Sequence, residues 1–445
     1  MNKKSVFVVT LGCSKNEIDS ELMLSILKKD KYTIAEELDE ANIIIVNTCG
    51  FIESAKEESI DTIWEMTKYK KEGNCDYLLL AGCLAQRYSE ELINEIEEID
   101  AIIGTGSIKD LNGILDSLEA KNKIISIGNI DDPYLENVER INFSATAYVR
   151  ISEGCDNFCT YCIIPKLRGK HRSRKMEDII KEVEYLAENG VSEIILIAQN
   201  TSDYGIDLYG DYVLYKLLDK LNDIEDISWI RIFYLYPDNF SDQLITSIRD
   251  NEKIVKYVDI PLQHINNNVL KRMNRRTTKE SILNLIEKLR SEIPDITIRT
   301  TFIVGFPGET NDEFNELHDF VKKVRFERLG VFTYSMEEDT PAYSMSNQVE
   351  DNIKEERKDN IMELQKGISE QIMMSKIGKV YDVLIEEMVD ENTFVGRTYM
   401  DSPDIDGVVY ITTDEDLDID DFIKVRITEY LEYDLIGELE YESGK

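Results

Sequence analysis

The stretch "TAYVRISEGCDNFCTYC", Thr146 to Cys162, places a β-branched and aromatic run directly before three thiols, Cys155, Cys159 and Cys162. A run of this kind reads as a strand. Thiols that follow it at once sit where a parallel β/α barrel carries its chemistry, on the loops after the carboxyl ends of its strands. Three is an odd number for a closed metal site, because a structural zinc or a fully ligated iron–sulfur cluster takes four protein ligands. The chemistry therefore requires either a distant fourth ligand or a metal with one coordination position open.

Reading outward, six apolar runs begin at Thr146: "TAYVRIS", "EIILIAQN", "WIRIFYLYP", "KYVDIPLQ", "ITIRTTFIVGF" and "RLGVFTYS", separated by helical stretches such as "KMEDIIKEVEYLAENG". Six β/α units are too few for an eight-fold barrel and predict an open, partial (β/α)6 barrel over residues 141–348. Upstream, over residues 1–140, an apolar run ends in a cysteine three times: "VFVVTLGC" at Cys13, "ANIIIVNTC" at Cys49 and "YLLLAGC" at Cys83. Strands alternating with helices predict an α/β, doubly wound parallel sheet, whose ligands bind outside the strands' carboxyl ends, so the three thiols should converge on one edge. Ser14 with Glu17, and Ser54 with Glu57, have capping-box spacing, which places Cys13 and Cys49 just before helix starts. Downstream, "VEDNIKEERKDNIMELQKGISEQIMMSKI" predicts a charged helical connector over 349–378, and the short β-rich runs of 379–445 predict a small antiparallel barrel.

The 445 residues carry 88 Asp and Glu against 51 Lys and Arg, a formal charge of −37. That balance disfavours a broad phosphate-binding face and suits a basic protein partner. The bias is strongest from Tyr381 to Lys445, with 20 acids against 4 bases. The start, "MNKKSVFVVTLGC", lacks the length and cleavage pattern of a signal peptide, and no apolar run approaches the ~18 residues of a membrane span. A cytoplasmic, reducing setting is expected, where clustered thiols mean metal or catalysis more often than disulfides.

Taken alone, the C-x3-C-x2-C spacing could also bind zinc. No histidine follows until His171, however, and the nearest other grouped cysteine, Cys83, belongs to the upstream set. Three thiolates on a 4Fe-4S cluster would leave one iron open. Cys75, in "KEGNCDY", fits neither set. Weaker candidates are Tyr161, between two of the cysteines; Gln199, closing "EIILIAQN"; Gln263 and His264, in "PLQHINNN"; and Gly305 and Gly308, in "FIVGFPGET", where glycine permits close backbone approach. "PKLRGKHRSRK", Pro165 to Lys175, holds six Lys or Arg and no acid. It reads either as a grip for a carboxylate or as a solvated basic helix start.

"EGCDNFCTYC" within "AYVRISEGCDNFCTYCIIPKLRGKHRSR" resembles the cluster loop of radical S-adenosylmethionine enzymes, and the whole arrangement resembles the methylthiotransferase family among them. The resemblance implies two 4Fe-4S clusters. One, on Cys155, Cys159 and Cys162, would bind S-adenosylmethionine through its open iron; the other, on Cys13, Cys49 and Cys83, would hold the sulfur to be transferred. It also implies S-adenosylmethionine contacts at Tyr161, Gln199, Gln263 and Gly305, a TRAM-like terminal barrel, and an electron donor of the flavodoxin or ferredoxin class. "LGCSKNEIDSE" resembles the branch that modifies an aspartate of small-subunit ribosomal protein twelve, with its LGC-x-KN-x-x-DSE pattern; the transfer-RNA branch more often shows "GCQMN". Asp401, Asp404 and Asp406, in "GRTYMDSPDIDGVVYI", agree, since an acidic barrel suits a basic ribosomal protein and repels a phosphate backbone. The implied activity is methylthio addition to the β-carbon of that aspartate. The alternatives are an adenosine of transfer RNA or a non-catalytic metal-binding scaffold. Ser14, Lys175 and the glycine-free "NRRTT" depart from the family's usual residues at substrate-facing loops.

Overall fold

Ile43–Thr48 is buried along its whole length. A continuous apolar strand of this kind needs cover on both faces, and a parallel sheet flanked by helices supplies it. In the computed structural model, which describes residues 3–29, 32–118, 120, 123–136 and 138–440, this strand is β3 of a six-stranded all-parallel sheet. The strands are β1 (Lys4–Thr10), β2 (Tyr32–Ile34), β3, β4 (Tyr77–Ala81), β5 (Ile99–Ile103) and β6 (Ile124–Ser126), in the order β2-β1-β3-β4-β5-β6. Ile44, Val46, Leu78 and Leu80 face one core, with Ile63 and Met66 of helix α2 (Glu53–Glu72). Ile43, Ile45 and Leu79 face the other, with Met23 and Leu27 of helix α1 (Ser14–Lys28).

The strand order reverses between β1 and β3, which creates a crevice outside their carboxyl ends. Cys13 follows β1 and Cys49 follows β3, so the crevice lies between these two cysteines. Cys83 lies in the first turn of helix α3 (Gly82–Arg87), directly after β4. The capping boxes expected at Ser14 and Ser54 are absent. Cys13 itself occupies the N-cap of α1 in an extended conformation, and Ile52 caps α2, in both cases without a side-chain bond. Ser14 is already inside the helix, so its hydroxyl cannot reach forward to cap it.

All six barrel strands form: Thr146–Arg150, Glu193–Ile197, Trp229–Ile232, Tyr257–Asp259, Thr297–Val304 and Arg328–Thr333. They make two three-stranded parallel sheets, joined by a bridge between Ile230 and Ile254 and by Leu235 N–H donating to Asp259 C=O at 2.9 Å. The helix Asp351–Met374, expected as a connector, does more than connect. Ile361 and Ile368 enter the barrel's helix-packed core, and Gln365 Nε2 donates to Phe326 C=O at 2.9 Å.

The last five strands, Val380–Asp390, Thr393–Arg397, Val409–Thr412, Phe422–Tyr430 and Leu435–Leu439, close into a barrel around Val383, Ile385, Phe394, Val409 and Val425. One of its pairings, Val409–Thr412 with Leu435–Leu439, is parallel. Between Arg397 and Val409 the chain forms a loop that plugs the amino-terminal end of the central barrel. Arg397 pairs with Glu193 at 2.6 Å, Arg231 Nη1 donates to Tyr399 C=O at 2.9 Å, and Tyr257 Oη donates to Asp406 at 2.7 Å. Asp401 pairs with Arg328. Asp401 and Asp406 thus neutralise barrel arginines and are not offered to a partner, which corrects the sequence expectation; Asp404 alone of the three is exposed. Among the described residues no helix is long and apolar enough to cross a membrane.

Candidate functional site

The first three cysteines gather at the carboxyl edge of the amino-terminal sheet. Gly12, at φ +90°, turns the chain so that Cys13 comes beside Cys49; a Cβ there would lie 2.7 Å from Cys49 Cβ and 2.9 Å from its Sγ. Ser59 of α2 brackets Cys49, accepting from its N–H and donating to its C=O, both at 3.0 Å. Burial pushes the Cys49 thiol up to about 11, and the neighbouring Cys83 and Cys13 push the same way. Burial likewise raises Cys83, against the pull of Arg168. Cys75 stands apart, its Sγ donating to Tyr77 C=O at 3.2 Å.

The second set follows the first barrel strand. Burial pushes Cys155 up to about 11 and Cys162 further, with Cys159 adding to both. A common feature links the two sets: the backbone N–H two residues on faces the sulfur and draws its thiol down against burial, Phe51 for Cys49, Asn157 for Cys155 and Ile164 for Cys162. Such donors favour the thiolate, the form that ligates a metal, and tune an iron–sulfur cluster through its sulfurs. Among the described residues no His, Cys, Asp or Glu group of three or more is gathered to hold a metal ion. A single zinc draws its ligands to about 2.0–2.3 Å. In donor chemistry, three thiolates without a gathered histidine are a set that an iron–sulfur cluster with one open iron accepts.

The two sets meet across a domain junction. Cys83 packs against Ile163 and Leu167, which follow Cys162. Arg168, next along, reaches into the amino-terminal domain, with Nη1 on Asp19 Oδ2 at 2.6 Å and Nη2 on Asn16 Oδ1 at 2.8 Å. Arg150 of the first barrel strand holds the other Asp19 oxygen at 2.8 Å and Glu153 at 2.6 Å. Burial alone would raise Asp19, but the two arginines outweigh it and hold the carboxyl below its ordinary range. On the far side of the mouth, Arg87 and Lys56 both pair with Glu337, beyond the last barrel strand, at 2.8 and 3.1 Å. The amino-terminal domain therefore spans the open barrel from its first strand to its last.

The motif "KNEIDSE" is largely this latch. Asn16 Nδ2 donates to Leu11 and Thr48 carbonyls, Ser20 bonds Thr10 and Asn47, and Glu21 pairs with Arg140 at 2.6 Å. The basic stretch after the cluster loop divides: its lysines, Lys166, Lys170 and Lys175, are exposed, while its arginines are engaged within the chain. Arg168 is used on Asp19, Arg172 on Asp131 at 3.4 Å, and Arg174 on Glu136 and Glu182 at 2.6 and 2.7 Å. The sequence marks these arginines as a basic cluster but not their pairing, because most of their carboxylate partners lie far away along the chain.

The remaining candidates divide. Tyr161 lies against Phe306, ring centroids 6.5 Å apart, with Arg275 Nη1 3.4 Å from its hydroxyl and Cys159 beside it. Gln199 Nε2 donates to Glu153 at 2.5 Å, leaving its buried Oε1 without a partner. Gln263, at φ +69°, bonds through its backbone to Thr301 and Ile303, both at 2.8 Å. Gly305, at φ +72°, is covered by the Lys354 stem, 2.3 Å from where a Cβ would stand. It is this lysine that closely approaches the glycine. His264 is fully buried; burial lowers it to about 3 and its Nδ1 accepts from Asn266 N–H at 3.0 Å, so its 3.6 Å approach to Glu309 is not an ion pair. A cavity of about 630 Å³ between α1, the first barrel strand and the terminal barrel, lined by Glu17, Tyr148, Arg397 and Asp404, includes none of the six grouped cysteines.

Residues 5–104 match the Uncharacterized protein family UPF0004, 149–321 the Radical SAM superfamily and 377–439 the TRAM domain. The chain is 52% identical over 435 residues to "Ribosomal protein uS12 methylthiotransferase RimO" of Clostridioides difficile (strain 630), covering 97% of this chain and 98% of that protein. It is 50% identical over 437 residues to the protein of the same name from Thermoanaerobacter sp. (strain X514), covering 98% and 100%. Among solved structures it is similar to the radical S-adenosylmethionine methyltransferase TsrM from Kitasatospora setae, with a TM-score of 0.53 at 12% identity over 77% of this chain and 74% of that one. It is also similar to the cobalamin-dependent S-adenosylmethionine radical enzyme OxsB, with a TM-score of 0.52 at 15% identity over 81% and 56%. At those identities the likeness to the solved structures is one of fold.

Proposed function

Because this chain belongs to the ribosomal protein uS12 methylthiotransferase RimO family of the Radical SAM superfamily, we propose that it adds a methylthio group to the β-carbon of an aspartate in ribosomal protein uS12. The observation that carries the proposal is the meeting of the two thiol sets, with Cys83 packed on the residues that follow Cys162. Cys155, Cys159 and Cys162 would hold one 4Fe-4S cluster, and Cys13, Cys49 and Cys83 a second. When bound, the clusters supply low-potential electrons for cleaving S-adenosylmethionine and a site that carries sulfur.

The chain's own residues do the positioning. Gln199, fixed by Glu153, directs its free carbonyl oxygen from a barrel strand end, where it would accept a hydrogen bond from an S-adenosylmethionine amine or ribose hydroxyl. Tyr161 and Gln263 flank the same mouth, while Gly305 acts indirectly by seating Lys354. Asp19, Arg150 and Arg168 hold the two cysteine sets at a fixed separation, and the domain they anchor covers the opening and excludes water. The organisation proposed is a thiol-bearing domain at 1–140, the barrel at 141–348, a helical connector at 349–378 and the terminal barrel at 379–445. An electron donor of the flavodoxin or ferredoxin class and a cytoplasmic setting complete the proposal. The transfer-RNA alternative is disfavoured by the formal charge of −37.

Anaerobic incubation of the reconstituted enzyme with S-adenosylmethionine and a reductant, offered uS12 and transfer RNA separately, tests the assignment by mass spectrometry. Methylthio mass on one aspartate of uS12 is expected. Methylthio mass on RNA alone, or on neither, rejects it.

A further inference from the structure

Among the described residues, buried cations are paired with carboxylates in all but two cases. Arg140, Arg150, Arg168, Arg174, Arg231, Arg328, Lys354, Arg357 and Arg397 each have a carboxylate within ion-pair distance. Among the described residues, the buried Lys and Arg side chains without one are Lys15 and Arg275. Arg275 is provided for in part: it stacks over Tyr236 at 4.3 Å and donates to Pro261 C=O at 2.9 Å, its Nε alone lacking a partner.

Lys15 is not. The residue is 8% exposed, and its Nζ lies 3.1 Å from the centroid of the Tyr234 ring. A ring face attracts a cation but accepts little from its three N–H donors. An anion would supply the charge pairing and hydrogen bonding that the ring cannot. The backbone around it is rigid, since Arg150 Nη2 donates to Lys15 C=O at 2.5 Å and Asn16 is fixed by Leu11, Thr48 and Arg168. The residue stands two positions after Cys13, on the first turn of α1, and its ammonium meets Tyr234, just beyond the third barrel strand. It thus bridges the amino-terminal thiol set and the barrel mouth.

We propose that the Lys15 ammonium, held over Tyr234, is the binding site for the carboxylate of the substrate's target side chain. This rests on the reading that the substrate is an aspartate. The counter-charge arrives with the substrate: an aspartate β-carbon is one bond from its carboxylate, so an ion pair to Lys15 fixes the reacting carbon at the barrel mouth, beside Tyr234. The clamp also selects for acid over amide, because asparagine would leave the ammonium unpaired.

The test compares a uS12 peptide carrying the target aspartate with its asparagine counterpart, using the reconstituted holoenzyme. Dissociation constants come from fluorescence anisotropy, and KM and kcat from mass spectrometry. Wild type is expected to prefer the aspartyl peptide. Lys15→Met, neutral and of similar reach, should lose roughly thirtyfold or more in affinity for it, with the asparaginyl peptide little affected. Lys15→Arg, which keeps the charge, should retain most of the preference and controls for folding. A Lys15→Met enzyme that discriminates as wild type does overturns the assignment of Lys15 while leaving the proposed function standing. A wild type that binds and modifies neither peptide overturns both.

Discussion

At the scale of single residues, Asp19 is the most consequential side chain that is not a thiol. It is 2% exposed and neutralises two arginines from another domain. Removing one partner of a buried network leaves uncompensated charge, so Asp19→Asn should destabilise the junction by about 3–5 kcal/mol. An earlier unfolding midpoint of the amino-terminal domain would show this; an unchanged midpoint would contradict the role. The pH dependence follows from the same pair. Asp19 titrates in the folded chain below its ordinary 3.8, because Arg150 and Arg168 outweigh burial. Its contribution is therefore complete above that value and is lost as pH falls through the lower folded value. Thermal midpoints against pH should fall more steeply in acid for wild type than for Asp19→Asn. His264 adds a slope of its own: it stays neutral in the fold down to about 3, whereas the unfolded imidazole takes up a proton near its ordinary 6.5, so its burial costs stability as pH falls below that value. Little of this was legible beforehand. The cysteines announced themselves by spacing, but Arg168 and Asp19 carry no local signal of their pairing, which spans 149 residues.

At the scale of elements, the strand-then-cysteine pattern was legible because buried parallel strands are long apolar runs and their ends are natural ligand positions. All six barrel strands could be read the same way. The three-residue strands Tyr32–Ile34 and Ile124–Ser126 escaped notice, since edge strands that short have no periodicity to detect. The capping boxes misled because spacing alone does not say which residue is the N-cap. The turn at Gly12 carries the sharpest element-level prediction. Alanine there would strain a backbone at φ +90° and press on Cys49. Gly12→Ala should lose iron from the amino-terminal set while the enzyme still cleaves S-adenosylmethionine. Methionine and deoxyadenosine released under reductant, assayed beside the iron content, would show the split; full iron retention would contradict it.

At the scale of the whole molecule, the partial barrel is closed from both ends by its neighbours. The amino-terminal domain covers the mouth, and the loop between Arg397 and Val409 plugs the base, where Glu193 lies between Arg231 and Arg397. Arg397 and Arg231 outweigh burial and keep Glu193 below its ordinary 4.5, so this junction too should weaken in acid. Arg397→Ala should cost about 3 kcal/mol and speed proteolytic release of the terminal barrel near Gly378; an unchanged digestion rate would refute the plug. The acidity of that barrel was plain from composition, but the use of Asp401 and Asp406 inside the molecule was not, because composition does not distinguish an acid facing solvent from one facing a buried arginine. The central claim is that one chain carries two separate three-thiol centres that face each other. Iron per chain after anaerobic reconstitution tests it most directly, in wild type and in two triple variants, Cys13, Cys49 and Cys83→Ala and Cys155, Cys159 and Cys162→Ala. The account predicts about eight irons in wild type and about four in each variant; about four in wild type, or none in either variant, would contradict it.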